Sequence, residues 1–325
     1  MKLTLRIPFS FRWTALPALA LLCAVAWANE DYPNKTVKIV VPFPPAGIND
    51  VIARQISEGL SRGIKGNIVI DNRGGAGGTL GSAIVAKAPA DGYTLLFSSS
   101  STIAVSPSIY PKLPYDPITD FSPITQIAKV ASVLIVNNSL PVNTLDEFIA
   151  YVKANPNKVT FGSGGPGSAQ HLAGELMKTQ ANLAMTHIPY QGGGPAMNDL
   201  MAGHISAVIE LMPVAFPLVR GGKVKALAVS TPQRSALLPN LPAIAESVPG
   251  YDMTIWLGLL APPNTPKPIV DKLNAAARAT LRDPEIYKRL TDQGATPVGD
   301  SPEEFSSFVR SEVGRWAKVV KAAGL

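Results

Sequence analysis

Residues 37–54 read VKIVVPFPPAGINDVIAR. The apolar run Val37–Val41, broken only by Lys38, stops at Pro42, Pro44, Pro45 and Gly47, and apolar residues return with helical spacing at Ile48, Val51, Ile52 and Ile56. That pattern predicts a strand, a tight loop and a helix. A helix entered this way directs its first unpaired N–H groups into the crevice at the strand's carboxyl end, where an anion is stabilised. The same order recurs later: a short strand at 159–161, a glycine loop at 162–168 (GSGGPGS) and a helix over 169–180. The two loops are expected to face one another across a cleft and hold a carboxylate.

The chain opens with Lys2, Arg6 and Arg12, an apolar run over 13–26 and the small-x-small triplet Ala26-Trp27-Ala28, which together read as a secretory signal peptide over 1–28 cut after Ala28. A membrane span needs about 20 clean apolar residues, whereas this run is shorter and contains Pro17. Cleavage removes 28 of the 325 residues and leaves 297, enough for two domains and a substantial core. The sole cysteine, Cys23, falls inside the leader, after Leu22 rather than the small residue that lipid attachment wants. The mature chain therefore has no disulfide, no cysteine-ligated zinc and no cysteine nucleophile. Removing the three leader cations leaves 26 basic against 23 acidic residues, a net +3. With no block of five like charges and no basic stripe interleaved with aromatics, nucleic acid is not an expected partner.

Strands at 68–70 and 94–97 flank a short helix over 80–87, and the polar run Ser98-Ser99-Ser100-Ser101-Thr102 follows at a strand's carboxyl end. Such alternation predicts βαβ units, a mostly parallel sheet and ligands at strand carboxyl ends. Over 121–137 the pattern becomes one long apolar segment without a helix, expected as a strand or strand pair crossing into a second domain. Thr144 and Glu147 form a capping box for a helix to about 155. Strands at 185–188, 205–210 and 224–229 then alternate with helices after 168, at Pro195 and near 214–220. A second crossing is expected near 248–258, and beyond it helices over 267–281 and from 302 to about 322, with no further strand. The expected architecture is α/β, two βα lobes around a central cleft: 29–130 with 250–325 as the first lobe and 131–249 as the second.

Gly162-Ser163-Gly164-Gly165-Pro166-Gly167 matches the dinucleotide pattern G-x-G-x-x-G in its strand–helix context. The acid such a site needs about 20 residues on is missing, because 185–194 read MTHIPYQGGG. What survives is the shared physics of glycines that let an anion approach a helix start. Asn49 offers an amide, and Asp50 is read first as a helix cap and second as a ligand contact. The remaining cleft candidates are Ser99 and Ser100, His171 on the helix after the glycine loop, Tyr190 beside its own glycines, and Glu210 at a strand's end. Glu210 would repel a carboxylate unless it meets an amine or hydroxyl or orders water, which makes it a specificity residue. His187, within a strand, reads as core. The formal G-x-S-x-G match, Gly59-Leu60-Ser61-Arg62-Gly63, follows the helical spacing at 48–56 and does not stand at a strand-to-helix turn, and H-E-x-x-H does not occur, so a hydrolase elbow and a metal site are not expected. The competing class is an exported hydrolase of carboxylic acid derivatives, with Ser168 or a serine from 98–101 as nucleophile and His171 as base; no third group can be assigned to it.

VPFPPAGIND (41–50), NRGGAGG (72–78), KAPADGYTLLF (87–97), YPKLPYDPITDFSPIT (110–125), FGSGGPGSAQHLAGELMK (161–178), HIPYQGGGPAMNDLMAG (187–203) and GKVKALAVST (222–231) together resemble the Bug (TctC-like) solute-binding receptors of tripartite tricarboxylate transporters. The resemblance implies a periplasmic binding protein fold of the type II kind, monomeric, without catalytic activity, cofactor or metal, closing on a small carboxylate. A di- or tricarboxylate, an acidic amino acid or an aromatic acid fits that description, and the implied partners are the permease subunits of such a transporter. It also implies that ligand carboxylates are held by backbone groups and ordered water from two loops. Those positions here are Pro44, Ala46, Gly47, Asn49 and Asp50 in the first, and Ser163, Gly164, Gly165, Pro166, Gly167 and Ser168 in the second. Three departures stand out: Ala46 replaces one of two consecutive glycines, Ile103 stands where many members have histidine, and Glu210 is one carbon longer than the usual aspartate. Ile103 is expected to make the cleft wall less polar.

Overall fold

The structure, a computed structural model, describes residues 32–45 and 47–322. The leader with its cleavage site, Cys23 and Ala46 lie outside the described residues. The elements are β1 (Val37–Val41), α1 (Ile48–Ile64), β2 (Ile68–Asn72), α2 (Thr79–Ala86), β3 (Thr94–Ser99), α3 (Ser106–Ile109), β4 (Ser122–Val130) and β5 (Ser132–Val136). They continue as α4 (Leu145–Ala154), β6 (Thr160–Ser163), α5 (Ala169–Ala181), β7 (Thr186–Pro189), α6 (Gly193–Ala202), β8 (Ala207–Leu211), α7 (Met212–Arg220) and β9 (Lys225–Val229). The chain ends with α8 (Ile244–Ser247), β10 (Ile255–Ala261), α9 (Lys267–Arg282), α10 (Pro284–Thr291), β11 (Ala295–Pro297) and α11 (Pro302–Ala322).

Two sheets result, in the orders β11-β4-β10-β3-β1-β2 and β7-β6-β8-β5-β9. The expected α/β class holds, but the sheets are mixed rather than mostly parallel. β1 pairs parallel with β2 and β3, and β6 with β7 and β8, as βαβ units dictate. The antiparallel ladders come from the crossings. β4 and β5 are one extended stretch interrupted at Ala131, serving the first sheet and then the second, while β10 returns to the first sheet against β3 and β4. A chain that leaves a sheet and comes back must run both ways. At the crossing the buried Ser230 hydroxyl accepts the Ser132 N–H at 2.8 Å and donates to the Met253 carbonyl at 3.2 Å, tying the outgoing and returning segments together.

The expectation of no strand after β10 is corrected by β11, whose three residues pair antiparallel with β4. Three residues are too few to carry an alternation pattern, and their ladder depends on a distant edge. The C-terminal helices return to the first sheet as expected. α9 lies so close to α1 that a Cβ at Gly63 would stand 2.7 Å from that of Ala276. α11 buries Phe305 edge-on to Trp256, with centroids 5.5 Å apart. Beside them Glu312, 6% exposed, receives the indole N–H of Trp256 at 3.1 Å, that of Trp316 at 3.2 Å, and Arg315 through Nε at 2.6 Å and Nη2 at 2.9 Å. Capping follows the sequence. Thr144 Oγ1 accepts the Glu147 N–H at 3.1 Å while Glu147 reaches back one residue further than a standard box, to the Asn143 N–H. Ser301 and Glu304 close the full reciprocal pair at the start of α11.

Candidate functional site

A cavity of about 320 Å³ lies where the β1–α1 loop and the β6–α5 loop meet. Phe43, Ile48 and Asn49 line it from one side and Pro166, Gly167, Ser168 and Ala169 from the other. Between them stand Gly77, Ser99, Ser101, Val105, Ser106, Ile109 and Tyr110, with Leu211 from the end of β8 and Ile255 from the start of β10. No charged side chain is among these walls.

Each loop presents a helix start. α1 begins after Gly47 with no side-chain cap, so its first N–H groups stay available. α5 is capped by Ser168, whose hydroxyl accepts the His171 N–H at 3.3 Å. The glycine loop reaches this position because Gly165 (φ 112°) and Gly167 (φ 75°) take backbone conformations that side chains disfavour. A Cβ on Gly167 would stand 2.9 Å from Ile109 Cδ1, so the two sides of the cleft are in contact there.

Of the sequence-proposed residues, Asn49, Ser99, Pro166, Gly167 and Ser168 line the cavity. Asn49 is 7% exposed, and its amide oxygen has no hydrogen-bond partner among the described residues. Pro44, Gly47, Gly164 and Gly165 shape the loops without lining the cavity. Asp50 is not the cap of α1 but its third residue. It is buried and accepts from Arg54 Nε at 2.9 Å and Asn72 Nδ2 at 3.0 Å, which fastens the first loop to β2. Ser100 is fully buried off the wall. Ser163 is also fully buried; its hydroxyl accepts the Gly165 N–H at 3.0 Å and lies 2.6 Å from His187 Nε2. The phenol of Tyr190 donates to Asp199 at 2.7 Å. Glu210 accepts from the Leu211 N–H at 2.7 Å and the Gln170 amide at 3.2 Å, and burial pushes its carboxyl above the usual range.

Ile103 is 0% exposed and is not part of the wall. The apolar lining comes instead from Phe43, Ile48, Val105, Ile109, Leu211 and Ile255. Two of them, Val105 and Ile109, escape sequence reading because a π-helical turn, Ser101–Val105, follows β3 and brings Val105 and α3 to the cleft while Ile103 stays buried off the wall. The one legible sign was Pro107 just after the serine run, which starts a new helix there.

His171 does not act on Ser168. Its Nδ1 accepts the Gly167 N–H at 3.1 Å, and its ring stacks on that of His187 with centroids 3.9 Å apart. The Ser168–His171 version of the nucleophile–base pair is therefore not formed in this structure. Burial lowers the pKa of both rings; that of His187 is pushed down to about 4, with His171 as the second cause. His187 is therefore neutral in the fold where the unfolded chain binds a proton, between the ordinary value near 6.5 and about 4, and His171 is shifted in the same direction. Stability present above pH 6.5 is thus lost as pH falls through that window. His187→Gln, which keeps a polar group toward Ser163 without a titrating ring, is expected to flatten the melting midpoint's dependence on pH there. A slope equal to the parent's refutes the assignment.

The family model of the tripartite tricarboxylate transporter family receptor (TctC) matches residues 52–325. BugT of Bordetella pertussis is 38% identical over 297 residues, 91% of each chain. Among solved structures, R. palustris Rpa4515 with adipate is similar at 39% identity and a TM-score of 0.81, covering 90% of this chain and 99% of that one. MatC from Rhodopseudomonas palustris with bound malate is similar at 34% identity and 0.76, covering 89% and 100%. With the family model spanning most of the chain and relatives matched over nearly their whole length, this chain belongs to the TctC family of tripartite tricarboxylate transporter receptors.

Proposed function

We propose that the chain is an extracytoplasmic solute-binding receptor that closes two lobes, 29–130 with 250–325 and 131–249, around a small organic dicarboxylate. It then delivers the ligand to a tripartite tricarboxylate-type permease or to a sensor. The observation that carries this reading is a cleft between two helix N-termini, one from each sheet's side, walled by apolar groups and free of charged side chains. Helix starts and hydroxyls hold carboxylates, and the aliphatic walls suit a hydrocarbon middle. Charge-assisted hydrogen bonds contribute about 1.5–3 kcal/mol each. Four of them supply the roughly 8 kcal/mol of micromolar affinity before ordering costs, with no buried arginine. No wall carboxylate is present to hold an ammonium, which disfavours acidic amino acids. The solved relatives with adipate and malate support the carboxylate class. The leader over 1–28 and relatives described as periplasmic support the location.

A ligand touching both loops binds the closed form better than the open one, which closure requires. No turnover is expected. Thermal-shift titration with succinate, glutarate, adipate and pimelate, after refolding to strip carried-over ligand, tests the reading. At a hundredfold excess over Kd, binding adds about 2.7 kcal/mol and raises the midpoint by several degrees. The expected result is a maximum at one chain length, with acetate and butyrate inert. Shifts from sugars or amines and from no acid would sink the proposal.

A further inference from the structure

Behind the glycine loop two histidine rings fix its peptides. His171, buried and the third residue of α5, accepts the Gly167 N–H on Nδ1 at 3.1 Å, so the ring's own proton sits on Nε2, 3.9 Å from Glu175. His187 lies 2.6 Å from the Ser163 hydroxyl, which accepts the Gly165 N–H at 3.0 Å. The Ser168 N–H returns to the Gly165 carbonyl at 3.1 Å. The donors of Gly165, Gly167 and Ser168 are thus spent on the loop's shape, and a carboxylate is left the first N–H groups of α5, at Ala169 and Gln170. Gly167 both lines the cleft and leads into that helix start, so displacing its peptide moves the wall and the anion-holding groups together.

The charged groups acting on His171 belong to α5 itself: Glu175 and Lys178, which are paired at 2.8 Å. β7 contributes the His187 ring, stacked on it, and β6 contributes Phe161, stacked on His187 with centroids 4.9 Å apart. β8 brings Glu210, which is engaged by Gln170 and the Leu211 N–H. Among the described residues neither β8 nor α11, the other elements packed on α5, adds a charge that acts on the ring. A proton added at Nδ1 turns the acceptor into a second donor facing the Gly167 N–H at contact distance. Glu175 stands beyond the opposite nitrogen and offsets the new charge, so the local clash outweighs any pull on the ligand.

We propose that His171 is a positioning residue for carboxylate binding. Neutral, it holds the Gly167 peptide and the start of α5 in the arrangement that grips the ligand; protonated, it lets that arrangement go, so the receptor releases its acid as the medium acidifies. This rests on the cleft being the carboxylate site. Burial lowers the ring's pKa, which puts the change below the ordinary value near 6.5 and leaves capture at full strength at neutral pH. Linkage requires the converse: a bound acid lowers the pKa of His171 further.

The test is calorimetric titration, from neutral pH downward, with whichever of succinate, glutarate, adipate or pimelate shifts the parent's midpoint most. His171→Asn puts an amide oxygen where Nδ1 stands and cannot take a proton; at neutral pH its Kd is expected within about threefold of the parent's. His171→Leu, which strands the Gly167 N–H, is expected to weaken binding roughly tenfold, the scale of one buried donor left unpaired. As pH falls, the parent's Kd should rise faster than that of His171→Asn; the acid's own titration is common to both and cancels in the ratio. A ratio independent of pH overturns the proposal, as does a leucine variant that binds like the parent. A ratio moving the other way means that the ring's charge attracts the ligand and overturns it equally. Nuclear magnetic resonance titration of the histidine rings in the parent needs no variant: a His171 pKa that the bound acid leaves unmoved or raises also overturns it. If none of the four acids binds the parent, the cleft reading falls and takes this one with it, whereas binding with an unmoved ratio removes this one alone.

Discussion

Asn49→Asp is expected to abolish carboxylate binding while leaving the fold intact. Asn49 is nearly fully buried in the cleft wall and is the second residue of α1. The substitution changes neither shape nor volume appreciably. It places a carboxylate where no cation lines the cavity and where the ligand's own carboxylate is proposed to sit. Like charges brought together in a desolvated site cost several kcal/mol, so affinity falls by about 100-fold or more. At a helix N-terminus the same carboxylate gains roughly 0.3–1 kcal/mol from the dipole, but its burial beside Asp50 without a cation costs more, so the melting midpoint of the unliganded protein falls modestly while the protein still folds. Calorimetric titration with the best acid from the thermal-shift series checks this. A Kd within about threefold of the parent's, the scale of a lost rim contact, would show that the carboxylate binds elsewhere.

Glu312→Leu is the substitution expected to cost most in stability. One buried carboxylate accepts from two indoles and both arms of Arg315. Leucine fills the space and leaves all four donors without an acceptor. Breaking a buried pair by removing one partner costs about 3–5 kcal/mol, which for a chain of this size lowers the midpoint by on the order of 10 °C. Urea unfolding gives the free energy directly. Adding Arg315→Met to the first change removes the stranded cation and should recover part of the loss. A single-variant loss below about 1 kcal/mol, the scale of an exposed pair, would mean that water replaces the carboxylate.

Local pattern made the two anchoring loops readable. Val37–Val41 followed by prolines, and the strand before GSGGPGS, announce strand–loop–helix units whose geometry depends on neighbours in sequence. Distant partners set the rest. β11 is a strand only because the edge of β4 is there, and the antiparallel ladders follow from the return of β10. The cleft's walls were harder still. Ile255 and Trp256 are adjacent and equally apolar, yet of the two only Ile255 lines the cleft. Ile103 and Val105 differ in role because a π-helical turn shifts their bearing. Asp50 and Ser163 look like ligand contacts by position, but their partners, Asn72 and His187, are fixed only once the sheets assemble.

On the proposed function, the cleft divides its labour between backbone and side chains. Helix starts offered by the β1–α1 and β6–α5 loops are main-chain features, which point substitutions elsewhere leave in place. The side chains that give the cavity its outline, among them Val105, Ile109, Leu211 and Ile255, come from separate elements and can be exchanged one at a time. A lineage carrying this scaffold can therefore trade one acid for another by resizing an aliphatic wall, without passing through an ancestor that has lost its grip on carboxylates. Diversification of diet, on this architecture, is a matter of a few methyl groups.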